Sequence, residues 1–317
     1  MMDWTDRHCR AFHRGFSSLA LLYTEMVTTG ALIHGGRLDL LAHDPAIGPV
    51  ALQLGGSEPK DLARSARLGA DAGFAEINLN CGCPSDRVQS GRFGACLMAE
   101  PELVAQCYRA MAEAVSIPVT IKCRIGVDDQ DPHDALWRFV ETIAAAGCRI
   151  FIIHARKAWL KGLSPKENRD IPPLDYELVH RLKADFPELT LLLNGGLENL
   201  DQGIAHLSAL DGVMVGRAAY HNPQIIGQVD AWLDPSRPIV TPWEALRHYR
   251  DYVEVQLALG VPLAQMTRHI LGAFHHRPGA RAFKRLLSTE AHKPQAGLAL
   301  YDQACALVAQ PSIKLSA

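Results

Sequence analysis

Three features of the chain predict an α/β protein built as a (β/α)8 TIM barrel and followed by a small all-helical C-terminal domain. Short apolar, β-branched runs alternate with helix-spaced stretches over the first 220 residues. No G-x-G-x-x-G turn follows the first of these runs, which disfavours a doubly wound open sheet, the main alternative. Beyond residue 240 the strand signal stops and helical spacing alone continues.

Taken in order, the runs at 19–25, 50–54, 75–80, 119–124, 150–155, 189–194 and 212–216 read as strands. Residues 59–73, 102–115, 134–147, 175–186 and 200–210 read as the helices between them. Strands alternating with helices imply right-handed βαβ units and a parallel sheet. Seven strands leave a barrel of eight one short, and the shortage falls at the front. Residues 6–16 already look like the helix that follows a first strand, so Met1-Met2 is expected to be the stub of that strand. Pro235-Ser236-Arg237-Pro238 marks a boundary, and Thr241-Pro242-Trp243-Glu244 has the form of a helix start. The expected division is therefore a barrel over 1–240 and a helical domain over 241–317, with helices at 243–259, 262–274, 279–287 and 295–308.

The chain carries 32 Lys and Arg against 34 Asp and Glu, a net charge of −2, which excludes a uniformly basic coat for nucleic acid. The charge is unevenly placed. Residues 241–317 hold nine basic and five acidic residues, which leaves 23 basic and 29 acidic for residues 1–240. A basic end on an acidic body fits a local anionic partner. No run approaches the length of an apolar membrane span. Eight cysteines without a C-x-x-C pair, behind an N-terminus lacking a basic-then-apolar order, predict a reduced, cytoplasmic chain with mostly free thiols.

Active sites of such barrels form at the C-terminal ends of the strands. Period-two alternation places Glu76, Asn78 and Asn80 on the face toward the barrel axis, and Ile77 and Leu79 toward the outer helices. The same alternation points Lys122, Arg124, His154 and Arg156 inward, with Gln53 the polar residue of its own run. Together they predict a polar, cationic mouth. Asn194-Gly195-Gly196 and Gly216-Arg217 close the last two strands, where barrels often bind a phosphate on glycine N–H groups and a helix N-terminus. Cys83, in Cys81-Gly82-Cys83-Pro84, lies in a loop that can reach the pocket, and its thiol could act as an acid. Neither the two cysteines one residue apart nor the His275-His276 pair has a partner pair, so no metal is expected.

These residues, in this order, resemble the flavin-dependent tRNA-dihydrouridine synthases over nearly the whole chain. The most specific stretch is Ile77-Asn78-Leu79-Asn80-Cys81-Gly82-Cys83-Pro84-Ser85-Asp86-Arg87-Val88, continued by Gly94-Ala95-Cys96-Leu97-Met98. Ile121-Lys122-Cys123-Arg124-Ile125-Gly126, His154-Ala155-Arg156, Asn194-Gly195-Gly196 and Gly216-Arg217 accompany it. The opening Met1-Met2-Asp3-Trp4-Thr5-Asp6-Arg7-His8 and the loop 156–166 are similar to the bacterial A-type subfamily, which acts on D-loop uridines 20 and 20a.

The resemblance implies FMN as the phosphate-bearing ligand. Its phosphate would lie on Asn194, Gly195, Gly196, Gly216 and Arg217, and Met1, Met2, Gln53, Lys122 and His154 would complete its site. In that family NADPH reduces the flavin, a hydride passes to C6 of a uracil, and a cysteine protonates C5. The matching cysteine is Cys83, with Asn80 helping to hold the base. Contacts to the tRNA elbow are implied for Arg87, Lys166, Arg169, Arg281 and Lys284. Lys157 and Lys161 stand beside the barrel pair, and Arg268, Arg277 and Arg285 beside the helical pair. Neither a membrane nor an obligate protein partner is implied. Relatives carry a lead-in and an Ala-Pro before Met-Met; this chain starts at the first Met, so a curtailed first strand and an incomplete N-terminus are expected. A flavin barrel reducing a free pyrimidine is the alternative activity, and an RNA-binding module without catalysis is a third reading. The basic helical end disfavours the first of these, and the residues around Cys83 disfavour the second.

Overall fold

The computed structural model describes residues 1–44, 48–85, 88 and 90–310. They fall into two compact units. One comprises Met1–Met2 and Leu21–Gly216; the other comprises Asp3–Ala20 and the chain from Arg217 onward.

The first unit is a parallel sheet of seven strands in sequential order. They are β1 (Leu22–Thr28), β2 (Val50–Gly55), β3 (Glu76–Cys81), β4 (Val119–Arg124), β5 (Ile150–His154), β6 (Thr190–Asn194) and β7 (Gly212–Met214). Helices Pro59–Asp71, Pro101–Ala114, Pro132–Ala145 and Tyr176–Asp185 run between strands. Proline opens the first three, where its missing N–H is not needed, and the Asp131 carboxylate caps the third by accepting from the N–H groups of His133 and Asp134.

The alternation reads through to packing. Ile77, Leu79, Ile121, Ile153, Leu191 and Leu193 are fully buried and belong to one core with Leu62, Val104, Met111, Phe139 and Leu182 of the helices. Each such side chain contributes roughly 1.5–3 kcal/mol by leaving water. Gly69 shows how closely a helix lies on the sheet: a Cβ there would stand 2.6 Å from Leu52 Cδ2 and 2.8 Å from Ile77 Cδ1.

Two expectations change here. Among the described residues no strand covers Met1-Met2, so the expected stub is absent. The first run forms a strand three residues later than its apolar pattern suggests, and β1 carries a register shift between Tyr23 and Met26. At that shift the Thr24 hydroxyl, in place of a backbone carbonyl, accepts from the Gln53 N–H at 2.9 Å.

The second unit is helical, with Arg7–Arg14, Pro242–Ala258, Ala280–Glu290 and Leu298–Ala306 as its longer helices. Thr241 and Glu244 form a reciprocal cap at the start of Pro242–Ala258, where the sequence has the form of a helix start. Phe12 meets Phe16 edge-on at 5.3 Å and Tyr249 at 5.4 Å, and Phe274 meets Phe283 at 5.1 Å. Residues 217–240, expected with the barrel, cluster instead with this unit. The Asp230 carboxylate gathers the N–H groups of Ser18 and Leu19 and the Ser17 hydroxyl, which binds the 3–20 segment to residues beyond Arg217. For the same reason the helix Arg7–Arg14 belongs to the helical unit rather than to a barrel connection.

Candidate active site at the ends of the parallel strands

The parallel register sets the site residues side by side. Gln53 pairs with Asn78, Asn80 with Lys122, Arg124 with His154, and His154 with Asn194. Their side chains form a continuous polar chain across β1 to β4. Tyr23 donates its hydroxyl to Glu76 Oε1 at 2.6 Å, and Thr120 donates to the same oxygen at 2.7 Å. Asn78 Nδ2 donates to Thr120 Oγ1 at 2.8 Å, and Gln53 Nε2 donates to Asn78 Oδ1 at 2.9 Å. Asn80 Nδ2 donates to Gln53 Oε1 at 2.8 Å. Burial raises the Glu76 carboxyl above its usual range, an effect the two hydroxyl bonds oppose.

Asn80 is also the hinge of the cysteine loop. Its Oδ1 accepts from the N–H groups of Gly82 and Cys83, both at 3.0 Å. The Cys83 carbonyl accepts from the Ala95 N–H at 2.9 Å. Gly94 has φ +72°, and a Cβ there would come 2.6 Å from that same carbonyl oxygen, so only glycine fits behind the loop. Cys83 is half-buried, with Sγ 3.7 Å from Ser85 Oγ. Burial pushes the thiols of Cys107, Cys123 and Cys148 up to about 12 and that of Cys81 well above its usual value.

Lys122, from the middle of β4, donates Nζ to Asn194 Oδ1 at 2.9 Å. Asn194 Nδ2 donates to the Met214 carbonyl at 2.8 Å, joining β4 to the ends of β6 and β7. Burial, reinforced by the Arg124 guanidinium, lowers the Lys122 ammonium to about 8. Among the described residues no carboxylate pairs with it. Beyond Asn194 the chain turns through Gly195 (φ +110°) and Gly196 (φ +68°). A Cβ on Gly195 would stand 2.5 Å from His154 Cδ2, so the imidazole lies directly on this glycine. Tyr176 donates its hydroxyl to the Gly195 carbonyl at 2.7 Å, which turns the following N–H the opposite way. No acceptor for the N–H groups of Gly195, Gly196 and Gly216 is found among the described residues. Around a Cβ on Gly216 the nearest atom is Met1 Sδ at 3.7 Å, which leaves this glycine open.

The anticipated residues thus gather in part. Gln53, Asn80 and Cys83 share one hydrogen-bond chain, Lys122 joins Asn194, His154 lies on Gly195, and Met1 lies near Gly216. Met2 is 57% exposed, and Arg217 starts a short helix of the other unit. Arg87 lies outside the described residues.

The cationic mouth needs correction. Arg124 is buried and spends its guanidinium on the carbonyls of Gly82, Lys157 and Asn168. Arg156 is held by the carbonyls of Asp170 and Pro172. Lys122 is the inward cation that remains.

In the loop after β5, buried Asn168 accepts from the Trp159 N–H at 2.7 Å and donates to the carbonyls of Trp159, Leu163 and Ser164. This frame presents Lys161, Lys166 and Arg169 to solvent. Lys157 is tied to the Gln130 carbonyl at 2.6 Å. In the helical unit, Arg281, Lys284 and Arg285 are exposed and fall at i, i+3 and i+4 on one face of Ala280–Glu290. Arg277 lies over the Trp243 ring, whereas Arg268 is committed to Asp6 at 2.6 Å.

Tyr23, Thr24, Thr120, Tyr176 and Asn168 escape a sequence reading. Thr120 alone has a signal: it shares the alternation of Lys122 and Arg124.

The family model for dihydrouridine synthase (Dus) matches residues 1–310. A tRNA-dihydrouridine(20/20a) synthase of Pasteurella multocida (strain Pm70) is 58% identical over 310 residues, 98% of this chain and 94% of that protein. A protein of the same name from Yersinia pestis is 58% identical over 310 residues, 97% of this chain and 90% of its own. Among solved structures, an old yellow enzyme homologue from Zymomonas mobilis superposes with a TM-score of 0.52 at 10% identity, covering 76% of this chain and 86% of its own. That likeness concerns the fold alone, and it agrees with the anticipated parallel α/β barrel. With a family match spanning nearly every residue and relatives more than half identical along their length, the chain belongs to the dihydrouridine synthase family.

Proposed function

We propose that the protein reduces D-loop uridines of tRNA, at positions 20 and 20a, to 5,6-dihydrouridine, with FMN as cofactor and NADPH as reductant. Support comes from the family and from relatives named for that activity. The observation that carries the reading is the strand-end cluster: an ammonium that finds no carboxylate and glycine N–H groups that find no acceptor among the described residues, in the same barrel as a tethered cysteine loop. Such a cluster suits an anionic ring and phosphate.

FMN bound there would supply the hydride chemistry, taken from NADPH and delivered to C6 of the uracil. Asn194, Gly195, Gly196 and Gly216 would cradle its phosphate end, with Arg217 following in the chain. Lys122 would place positive charge against the electron-rich edge of the ring, and Gln53, His154, Met1 and Met2 would border it. Cys83 would donate its thiol proton to C5, held there by the two N–H bonds of its loop to Asn80. Lys166 and Arg169 of the barrel unit, and Arg281 and Lys284 of the helical unit, would take RNA phosphates. Arg87 belongs to this proposal by its sequence position only.

The test is an absorption spectrum of the protein reconstituted with FMN, followed by dihydrouridine formation on unmodified tRNA. Absence of flavin bands overturns the reading. Reduction of free uracil with no action on tRNA would favour a small-molecule reductase. Cys83→Ala is expected to keep flavin and NADPH oxidation while losing about two orders of magnitude or more in product formation; wild-type turnover by this variant removes Cys83 from the chemistry.

A further inference from the structure

We propose that Glu76 and Thr120 act as positioning residues that fix which way the Asn80 amide faces, so that the site offers the base an N–H donor and requires a carbonyl oxygen opposite it. The inference rests on the proposed uridine reaction. It starts from the direction of each hydrogen bond between Glu76 and Cys83.

Each end of the chain has a fixed and opposite polarity: Glu76 Oε1 accepts from the hydroxyls of Tyr23 and Thr120, and the backbone N–H groups of Gly82 and Cys83 only donate. Because Thr120 gives its single hydroxyl proton to Glu76, its oxygen must accept from Asn78, which turns the Asn78 NH2 toward it. Asn78 Oδ1 then faces Gln53 Nε2, and Gln53 Oε1 faces Asn80 Nδ2. Asn80 Oδ1 is left toward the N–H groups of Gly82 and Cys83. Read from the loop backward, the same assignment results. Turning any one amide would set donor against donor at one neighbour and acceptor against acceptor at the other, in a nearly dry setting where water does not replace an unmade bond.

Asn80 therefore spends its oxygen twice and one of its two amide hydrogens once. What this half-buried amide has left is one N–H. A uracil carbonyl satisfies it; the amino group of a cytosine presents another donor and does not. The chain also gives the buried carboxyl at the first residue of β3 a part to play: Glu76 is the acceptor that anchors the sequence of donors.

The experiment compares Thr120→Val, Thr120→Ser, Glu76→Gln and Glu76→Leu as flavin-loaded enzymes on unmodified tRNA, with separate assays of NADPH oxidation and dihydrouridine formation. Thr120→Ser and Glu76→Gln keep a hydroxyl and an acceptor oxygen, and are expected within about threefold of wild type. Thr120→Val and Glu76→Leu are expected to lose about tenfold or more in kcat for dihydrouridine, with NADPH oxidation little changed. Their alkylation rate at Cys83 should also shift, because the loop loses its fixed acceptor. Wild-type kcat and alkylation in Thr120→Val overturns the proposal. So does a uniform loss of flavin, NADPH oxidation and product, which would make the chain a matter of folding. Equal impairment of Glu76→Gln and Glu76→Leu overturns the polarity argument. If wild-type protein forms no dihydrouridine, the activity reading fails, and the alkylation rates still decide the positioning role.

Discussion

Lys122 Nζ and Asn194 Oδ1 meet at 2.9 Å, so the strand that carries the site's inward ammonium is fastened to the strand whose end turns through two glycines. Asn194 passes the connection on to the Met214 carbonyl, and one amide thus sets the spacing of three strands. Charge and cradle are held in register by neutral contacts, which leaves the ammonium's charge for a ligand.

That charge is pH-dependent in an accessible range. Burial, aided by Arg124, brings Lys122 down to about 8, so the cation is present below that pH and is lost above it. An anion bound beside the ammonium raises its pKa, so affinity is full below about 8 and declines as pH rises through it. FMN affinity of the apoprotein, measured by fluorescence quenching, should weaken several-fold between about pH 7 and 9. In Lys122→Met it should be weaker throughout and flat. A decline retained in Lys122→Met assigns the titration to another group.

Gly195 has two reasons to be glycine, its φ of +110° and the His154 ring 2.5 Å from any added Cβ. Gly195→Ala is expected to cost on the order of 1–3 kcal/mol in stability and to reduce flavin retention. Tyr176→Phe removes the hydroxyl from the Gly195 carbonyl but leaves the turn sterically intact, and should cost about 1 kcal/mol. Thermal unfolding with flavin quantitation checks both, and equal loss in the two variants would count against the steric argument.

Arg281 and Lys284 lie on the exposed face of their helix. The double variant Arg281→Glu/Lys284→Glu should bind tRNA about tenfold or more weakly, with a salt dependence shallower by about one to two ions. Flavin content should be unchanged. Filter binding at several salt concentrations reads the slope, and loss of flavin would instead show that these residues support folding.

The helical unit contains an acid-labile cluster. Burial lowers His13 to about 3 and His8 to about 4, so both imidazoles are neutral in the fold. Burial pushes the Asp6 carboxyl up, but bonds from His269, Cys9 N–H and Arg268 outweigh it and hold the acid well below its ordinary 3.8. Both histidine values are depressed, so their stabilisation is complete above the ordinary value of 6.5 and is lost as pH falls toward 3, whereas that of Asp6 is complete above 3.8 and is lost only below it. The unfolding midpoint should drop by several degrees across that window, and by less in His13→Gln. An identical drop in His13→Gln would place the sensitive group elsewhere.

Much of the barrel was legible because period two leaves little freedom. The run at 119–124 coincides with β4, and the outward Ile77 and Leu79 are fully buried as their alternation requires. The register shift inside β1 was not legible, since the apolar pattern carries no mark of the Thr24 hydroxyl that accepts from the Gln53 N–H there. Periodicity gave Arg124 and Arg156 a face but not their partners, which are carbonyls of loops distant in sequence. Thr120 and Tyr23 look like ordinary strand residues until Glu76 is found between them. The unit boundary moved because one carboxylate, Asp230, recruits Ser17 and Ser18 from the far end of the chain.

Arg124 has a mechanical consequence. Its guanidinium clasps Gly82 from the cysteine loop with one nitrogen, and with another reaches Lys157 and Asn168 from the loop that displays Lys161 and Lys166. A displacement of the lysine-bearing loop must either rupture charge-assisted bonds or drag the Gly82 peptide with it. The two loops share a single rivet, so a pull on the one is transmitted to the peptide beside the cysteine in the other.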